Sequence, residues 1–141
     1  MLNNPLFIDT SFTYAIINPN DQWHKKAVEW QQRIVSERLE LLTTQFILTE
    51  IADGLSSLKF RRQAVSAIQI LENSDFIEII PATSELFRKG LNLYESRPDK
   101  SWGLTDCISF VVMNEKNLFD ALTTDDHFRQ AGFRALMLEN E

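Results

Sequence analysis

Cysteine occurs once, at Cys107, in a chain of 141 residues. A lone thiol cannot close an internal disulfide, and it excludes a cysteine-rich zinc site. Cys107 lies in the apolar run CISFVVM, where it reads as a small buried hydrophobe. Glycine and proline are nearly as scarce, at four each. No repeat, linker or low-complexity segment interrupts the chain, so residues 1–141 are read as a single domain, long enough to close a core. No apolar run approaches the roughly 20 residues of a membrane helix. The opening MLNNPLFID has no basic stretch ahead of an apolar core, so no signal peptide is expected and the cytoplasm is the expected location. Positive charge is short too: 14 Lys and Arg face 20 Asp and Glu, for a net charge of −6. That excludes a general nucleic-acid coat protein, which needs a basic footprint. It leaves room for a nucleic-acid enzyme, because a carboxylate-rich site adds negative charge that bound cations cancel.

What is present is periodicity of two kinds. PLFID (5–9), LELLTT (39–44), FIEIIP (76–81), LFDALT (118–123) and FRALML (133–138) read as five short strands. Between them lie helical patterns. Residues 10–18 stop before Pro19, and a cap at Asn20 or Asp21 opens a second helix on which Trp23, Ala27, Trp30 and Ile34 form a stripe. Residues 46–58 carry Ile47, Ile51, Leu55 and Leu58 on one face, and residues 61–73 carry Val65, Ile68 and Leu71. Thr83 or Ser84 starts another helix with Leu86, Phe87 and Leu91 inward, followed by the loop RPDKSWG. LTDCISFVVMNEK (104–116) is apolar around its circumference and must be buried; DDHFRQAG is a short helix ended by Gly132. Strands alternating with helices predict an α/β fold, a three-layer α/β/α sandwich around a mostly parallel five-stranded sheet. Right-handed crossovers put ligand sites at the carboxyl ends of the strands, and strands one and four are the expected neighbours at the switch point.

Asp9 ends strand one and Asp125, with Asp126 beside it, ends strand four. Asp106 falls in the first turn of the buried helix, and Glu50 lies one position off the apolar stripe of its own helix. Each has a plain explanation alone. Asp9 and Asp125 are placed to cap helices, Asp106 suits the positive end of a helix, and Glu50 could be solvated. Together they are harder to dismiss, since acids gathered at one sheet edge raise one another's pKa and the cluster is costly without a cation. The donors are carboxylates and hydroxyls, with no cysteine or histidine grouping, a set that suits Mg²⁺ or Mn²⁺ rather than Zn²⁺. Acid-lined Mg²⁺ sites at strand edges commonly handle phosphate esters.

FIDTSF with Asp9, LTEI with Glu50, WGLTDCISF with Asp106 and ALTTDDHFRQAGF with Asp125 resemble the four acidic blocks of the PIN domain family, with VapC-type ribonuclease toxins the nearest likeness. The segment 99–133 carries the most specific part of the resemblance. It implies that Asp9, Glu50, Asp106 and Asp125 form a metal-binding quartet, with Asp9 and Asp106 central. It implies that Asp125, not Asp126, is the fourth acid. Thr10, Ser11 and Thr123 match small hydroxyl residues that hold a water or a phosphate oxygen. Gly103 stands where serine is common. The implied activity is Mg²⁺- or Mn²⁺-dependent endonucleolytic cleavage of single-stranded RNA, leaving a 5′-phosphate and a 3′-hydroxyl. The implied partners are a small protein antitoxin and a second copy of the chain.

His127 is read as a packing or hydrogen-bonded histidine rather than a general base, and His24 as an exposed helical residue. Trp102 is a packing anchor or, with Tyr94, a stacking surface for an RNA base. Lys59, Arg61 and Arg62 are the densest basic cluster and suit RNA phosphates, an acidic partner or simply a solvated helix start. Asp53 and Asp99 are reserve acids. Alternatives are a stand-alone RNA-processing nuclease and an inactive scaffold of the same fold. A receiver-type domain fits poorly, because no acidic pair follows strand one and no lysine follows the last strand. A magnesium phosphatase lacks its D-x-D.

Overall fold

The computed structural model describes residues 4–140; the first three residues of MLNNPLFID, over which the absence of a leader was read, lie outside them. Five short strands, β1 (Leu6–Ile8), β2 (Leu41–Thr44), β3 (Ile77–Ile80), β4 (Asp120–Leu122) and β5 (Arg134–Ala135), form one sheet in the order β3-β2-β1-β4-β5. Every pairing is parallel, so the sheet is wholly rather than mostly parallel. Side chains alternate across a strand, and here they feed two separate cores. Phe7, Leu42 and Ala121 belong to one, and Ile8, Leu41 and Leu122 to the other.

The second core is closed by α1 (Thr10–Ile17), by α2 (His24–Glu37) through Ala27, Trp30 and Ile34, and by a 3₁₀ turn at Leu136–Leu138. The first is closed by α3 (Gln45–Gly54), α4 (Arg61–Asn73), α5 (Ser84–Ser96), α6 (Leu104–Glu115) and α7 (Asp126–Gln130). Its centre is α6, whose Cys107, Ile108, Phe110, Val112 and Met113 are all buried, as its apolar circumference requires. Phe110 sits edge-on to both Trp102 and Phe128 at 5.0 Å, the favoured geometry for opposed ring quadrupoles. Layers of helix, parallel sheet and helix give the expected α/β architecture. No helix among the described residues is long and apolar enough to cross a membrane.

Several boundaries differ from the sequence pattern. The second helix begins at His24, because Asp21 Oδ1 accepts from the Trp23 N–H at 2.8 Å and stabilises a preceding turn instead of capping the helix. His24 is half-buried, with its Nδ1 2.6 Å from the Ala15 carbonyl oxygen, rather than exposed. The third helix ends at Gly54, which leaves Leu58 outside it and almost fully exposed. On α4 the buried residue is Ala64 and Val65 faces outward, while on α5 Leu86 is buried and Phe87 is exposed. The fifth strand is only Arg134–Ala135, because Leu136–Leu138 coil into the 3₁₀ turn.

Candidate active site

β1 and β4 lie side by side at the switch point, and the ladder continues past their ends: the Asp9 N–H donates to the Leu122 carbonyl at 3.2 Å. Asp9 occupies the N-cap position of α1, yet its carboxylate makes no cap hydrogen bond. Instead Asp9 Oδ2 accepts from Thr123 Oγ1 at 2.7 Å and from Ser11 Oγ at 3.2 Å. Thr123 is fully buried, and its oxygen also accepts from the Asp125 N–H at 3.0 Å. Ser11 Oγ accepts from the Thr124 N–H at the same distance. These hydroxyls tie the start of α1 to the segment leading into α7.

Asp125 caps α7, accepting from the His127 N–H at 2.9 Å through Oδ1, so its capping role and its place in the cluster coexist. Asp106 Oδ2 accepts from the Gly103 N–H at 3.2 Å, which fixes it in the first turn of α6. His127 was not counted among the ligands on sequence grounds, but its ring enters the cluster. Nδ1 lies 2.9 Å from Asp106 Oδ2 and 3.4 Å from Asp125 Oδ1, and ligand atoms of all three residues fall within 4.8 Å of one another. The spacing of His127 two residues past the fourth acid was the only sequence signal for this. Glu50 reaches the cluster from α3, with its Oε1 accepting from Thr10 Oγ1, while Tyr14 Oη donates to the Glu50 main-chain carbonyl at 2.8 Å.

Asp9 and Glu50 stand outside the 4.8 Å grouping of Asp106, Asp125 and His127, but their charges act on the same acids. Asp9 is 6% exposed; burial, with the charges of Asp106 and Glu50 added, outweighs the hydrogen bonds from Thr123 and the Thr10 backbone and lifts its carboxyl to about 7. Glu50 is raised by burial and then by Asp106, Asp125 and Asp53, against the hydrogen bond from Thr10. Asp106 is raised by burial and by Asp125, with the hydrogen bond to His127 opposing. His127 moves upward because its hydrogen bond to Asp106 and the charges of Asp125, Asp106 and Asp126 overcome the opposing effect of burial. Burial and the charges of Glu50, Asp9 and Asp53 push the Tyr14 hydroxyl up to about 12, so it remains protonated as a donor at neutral pH.

This donor set fits a hard divalent cation. The side-chain hydrogen bonds that orient each carboxylate fall on one oxygen: Oδ2 of Asp9 and Asp106, Oδ1 of Asp125 and Oε1 of Glu50. The donors are hard oxygens with one imidazole beside them, and the mutual repulsion of the acids is what such an ion would relieve.

Other candidates stand apart. Asp126 is exposed and pairs with Arg129 and Gln130, and Asp99 is held by Arg97 in solvent. Asp53 is exposed on α3. Arg61 and Arg62 are exposed in the first turn of α4, and no hydrogen bond or ion pair joins either to the four acids. Trp102 is a buried anchor whose indole N–H donates to Gln130 at 3.0 Å, whereas Tyr94 is half exposed. A groove of about 870 Å³ opens at the opposite, amino-terminal ends of the strands, lined by Leu6, Trp30, Phe119 and Arg134 among others. Arg134 is already paired there with Asp120, and no reactive groups converge in the groove. The acids singled out in the sequence lie at the other edge of the sheet and do not line this groove.

A family model described as the PIN domain matches residues 6–134. A comparison with curated proteins finds no match. Among solved structures, the chain is similar to VapC20 of Mycobacterium tuberculosis, a sarcin-ricin loop cleaving toxin. The identity is 25% and the TM-score 0.80, over 92% of this chain and 97% of that one.

Proposed function

Since the chain belongs to the PIN domain family, we propose that it is a metal-dependent endoribonuclease acting as one domain. It cleaves single-stranded RNA by attack of water at phosphorus, leaving a 5′-phosphate and a 3′-hydroxyl. The observation that carries this reading is the convergence of four acids from four separate elements, each raised by or raising its neighbours. Asp9 and Asp106 are the residues to hold Mg²⁺ or Mn²⁺, with Glu50 and Asp125 completing the site or orienting water. A divalent cation bound there would supply an activated water at neutral pH and neutralise charge building on the phosphoryl oxygens. Thr123 and Ser11 fix Asp9, and the His127 ring steadies Asp106. Thr10 steadies the Glu50 carboxylate in the same way. Arg61 and Arg62 are proposed only as peripheral phosphate contacts.

The likeness to a toxin that cleaves the sarcin-ricin loop supports a toxin role, and we propose that the chain belongs to a VapBC-type pair with a small protein antitoxin as partner and works as a homodimer. A stand-alone RNA-processing nuclease is the alternative; a short antitoxin reading frame next to this one separates the two. Purified protein is expected to cut single-stranded RNA with Mg²⁺ or Mn²⁺ and not with EDTA. Asp9→Asn or Asp106→Asn each reduces cutting by at least about a hundredfold, within the range for losing an electrostatic stabiliser of the transition state. Metal-dependent cutting that survives both changes overturns the assignment.

A further inference from the structure

Glu50 is gripped at two points, and both grips come from α1. Thr10 and Tyr14 are one turn apart on that helix and so share a face. Thr10 Oγ1 donates to the Glu50 carboxylate, and Tyr14 Oη donates to the Glu50 main-chain carbonyl at 2.8 Å. A helical carbonyl in mid-element is normally covered, because the Cβ four residues on leans back toward the helix N-terminus and over it. The residue four positions on is Gly54. A Cβ there would lie 1.7 Å from Tyr14 Oη and 2.4 Å from its Cζ, so the hydroxyl reaches the carbonyl only because residue 54 has no side chain. Glycine is a poor helix former, yet α3 carries it in its last turn.

We infer that Tyr14 and Gly54 form a latch that sets the depth of Glu50 in the acidic site, making Tyr14 a positioning residue. This rests on the nuclease reading above. The Tyr14 hydroxyl holds the backbone from which the Glu50 side chain springs, while Thr10 holds only its tip. Without the hydroxyl, the main-chain tie from α1 is lost and Thr10 alone holds the Glu50 carboxylate to that helix.

The test uses Tyr14→Phe, which keeps the ring and removes the hydroxyl, and Gly54→Ala, which places a methyl where the hydroxyl sits. The tyrosine ring end can yield to that methyl, so the loss falls on the hydrogen bond rather than on the fold. Each single variant is expected to lower kcat for RNA cleavage about three- to tenfold, the worth of one hydrogen bond, with KM unchanged. Each is also expected to weaken Mn²⁺ binding, titrated by calorimetry, to a similar degree. The double variant should be no worse than the poorer single, because both changes remove one interaction. A Tyr14→Phe protein with wild-type kcat and wild-type Mn²⁺ affinity overturns the latch, as does full additivity in the double variant. Failure of the nuclease reading is distinguishable: wild-type protein then cuts no RNA, while the Mn²⁺ titration of Tyr14→Phe still decides whether the latch exists.

Discussion

On the proposed function, Asp9 puts activity and stability in opposition at a single side chain. It is almost wholly buried with its carboxyl lifted to about 7, far above the ordinary value of 3.8. A raised folded-state pKa means that ionising Asp9 costs stability in the metal-free protein, by on the order of 2–4 kcal/mol once the pH exceeds 7. Asparagine carries no charge, and its side-chain oxygen can still accept from Thr123 and Ser11. Asp9→Asn is therefore expected to raise metal-free stability at pH 8 while abolishing cleavage, with urea unfolding in EDTA as the measurement. A variant less stable than wild type under those conditions argues against a cost of burying the Asp9 charge. Single residues also show the limit of reading the chain alone. Capping a helix and holding a cation both call for a carboxylate at the first position, so Asp9 and Asp125 look alike on paper. Only in three dimensions does Asp125 cap α7 while Asp9 turns away from α1 toward Thr123. His127 is hydrogen-bonded as expected, but its partner Asp106 lies 21 positions away, a contact that no local pattern encodes.

Among the elements, α5 and α6 pack most intimately, and Gly90 is where they meet. A Cβ at residue 90 would lie 2.3 Å from Ile108 Cγ1 and 3.2 Å from the Ile108 Cα. Alanine is the better helix former, so propensity alone predicts that Gly90→Ala stabilises by about 1 kcal/mol. Overpacking against backbone outweighs that gain, and a net loss of about 1–3 kcal/mol is expected in chemical denaturation. A stabilised variant would mean that α5 can shift without cost. The elements themselves were largely legible, since each of the predicted strands and helices exists and their order implied a parallel sheet. Their faces were less so. Val65 and Phe87 point outward because α4 and α5 cover one core from its margin, where a helix buries a narrow stripe and Ala64, Gly90 and Leu86 suffice. The fifth strand was overcalled because apolar residues in FRALML serve a 3₁₀ turn, which buries Leu136 and Met137 as well as a strand would.

For the molecule as a whole, the acidic edge links folding to pH and to divalent ions. Asp9, Glu50 and Asp106 are all raised above their ordinary values, mainly by burial, and His127 is raised as well. Stability from the raised acids is fully present below their unfolded values near 4 and is lost as pH climbs through their folded values, for Asp9 about 7. The histidine works in the same direction, its contribution fading as pH rises past its elevated value. Metal-free protein is thus expected to melt at lower temperature at pH 8 than at pH 6. Added Mn²⁺ should raise the melting temperature more at pH 8 than at pH 6, because the ion must displace protons to bind at the lower pH. Thermal melts in EDTA and in Mn²⁺ across that window check both signs; a metal-free melting point that climbs with pH contradicts them.

The seam between β1 and β4 has a bearing on biosynthesis. Asp9 is made 114 residues before Thr123, whose hydroxyl aims it, and its strand's neighbour on that side begins at Asp120. A nascent chain halted before that strand holds at most three of the acids, with no wall to set the first of them against. On the proposed function, cutting power is then absent until β4 and Thr123 have left the ribosome.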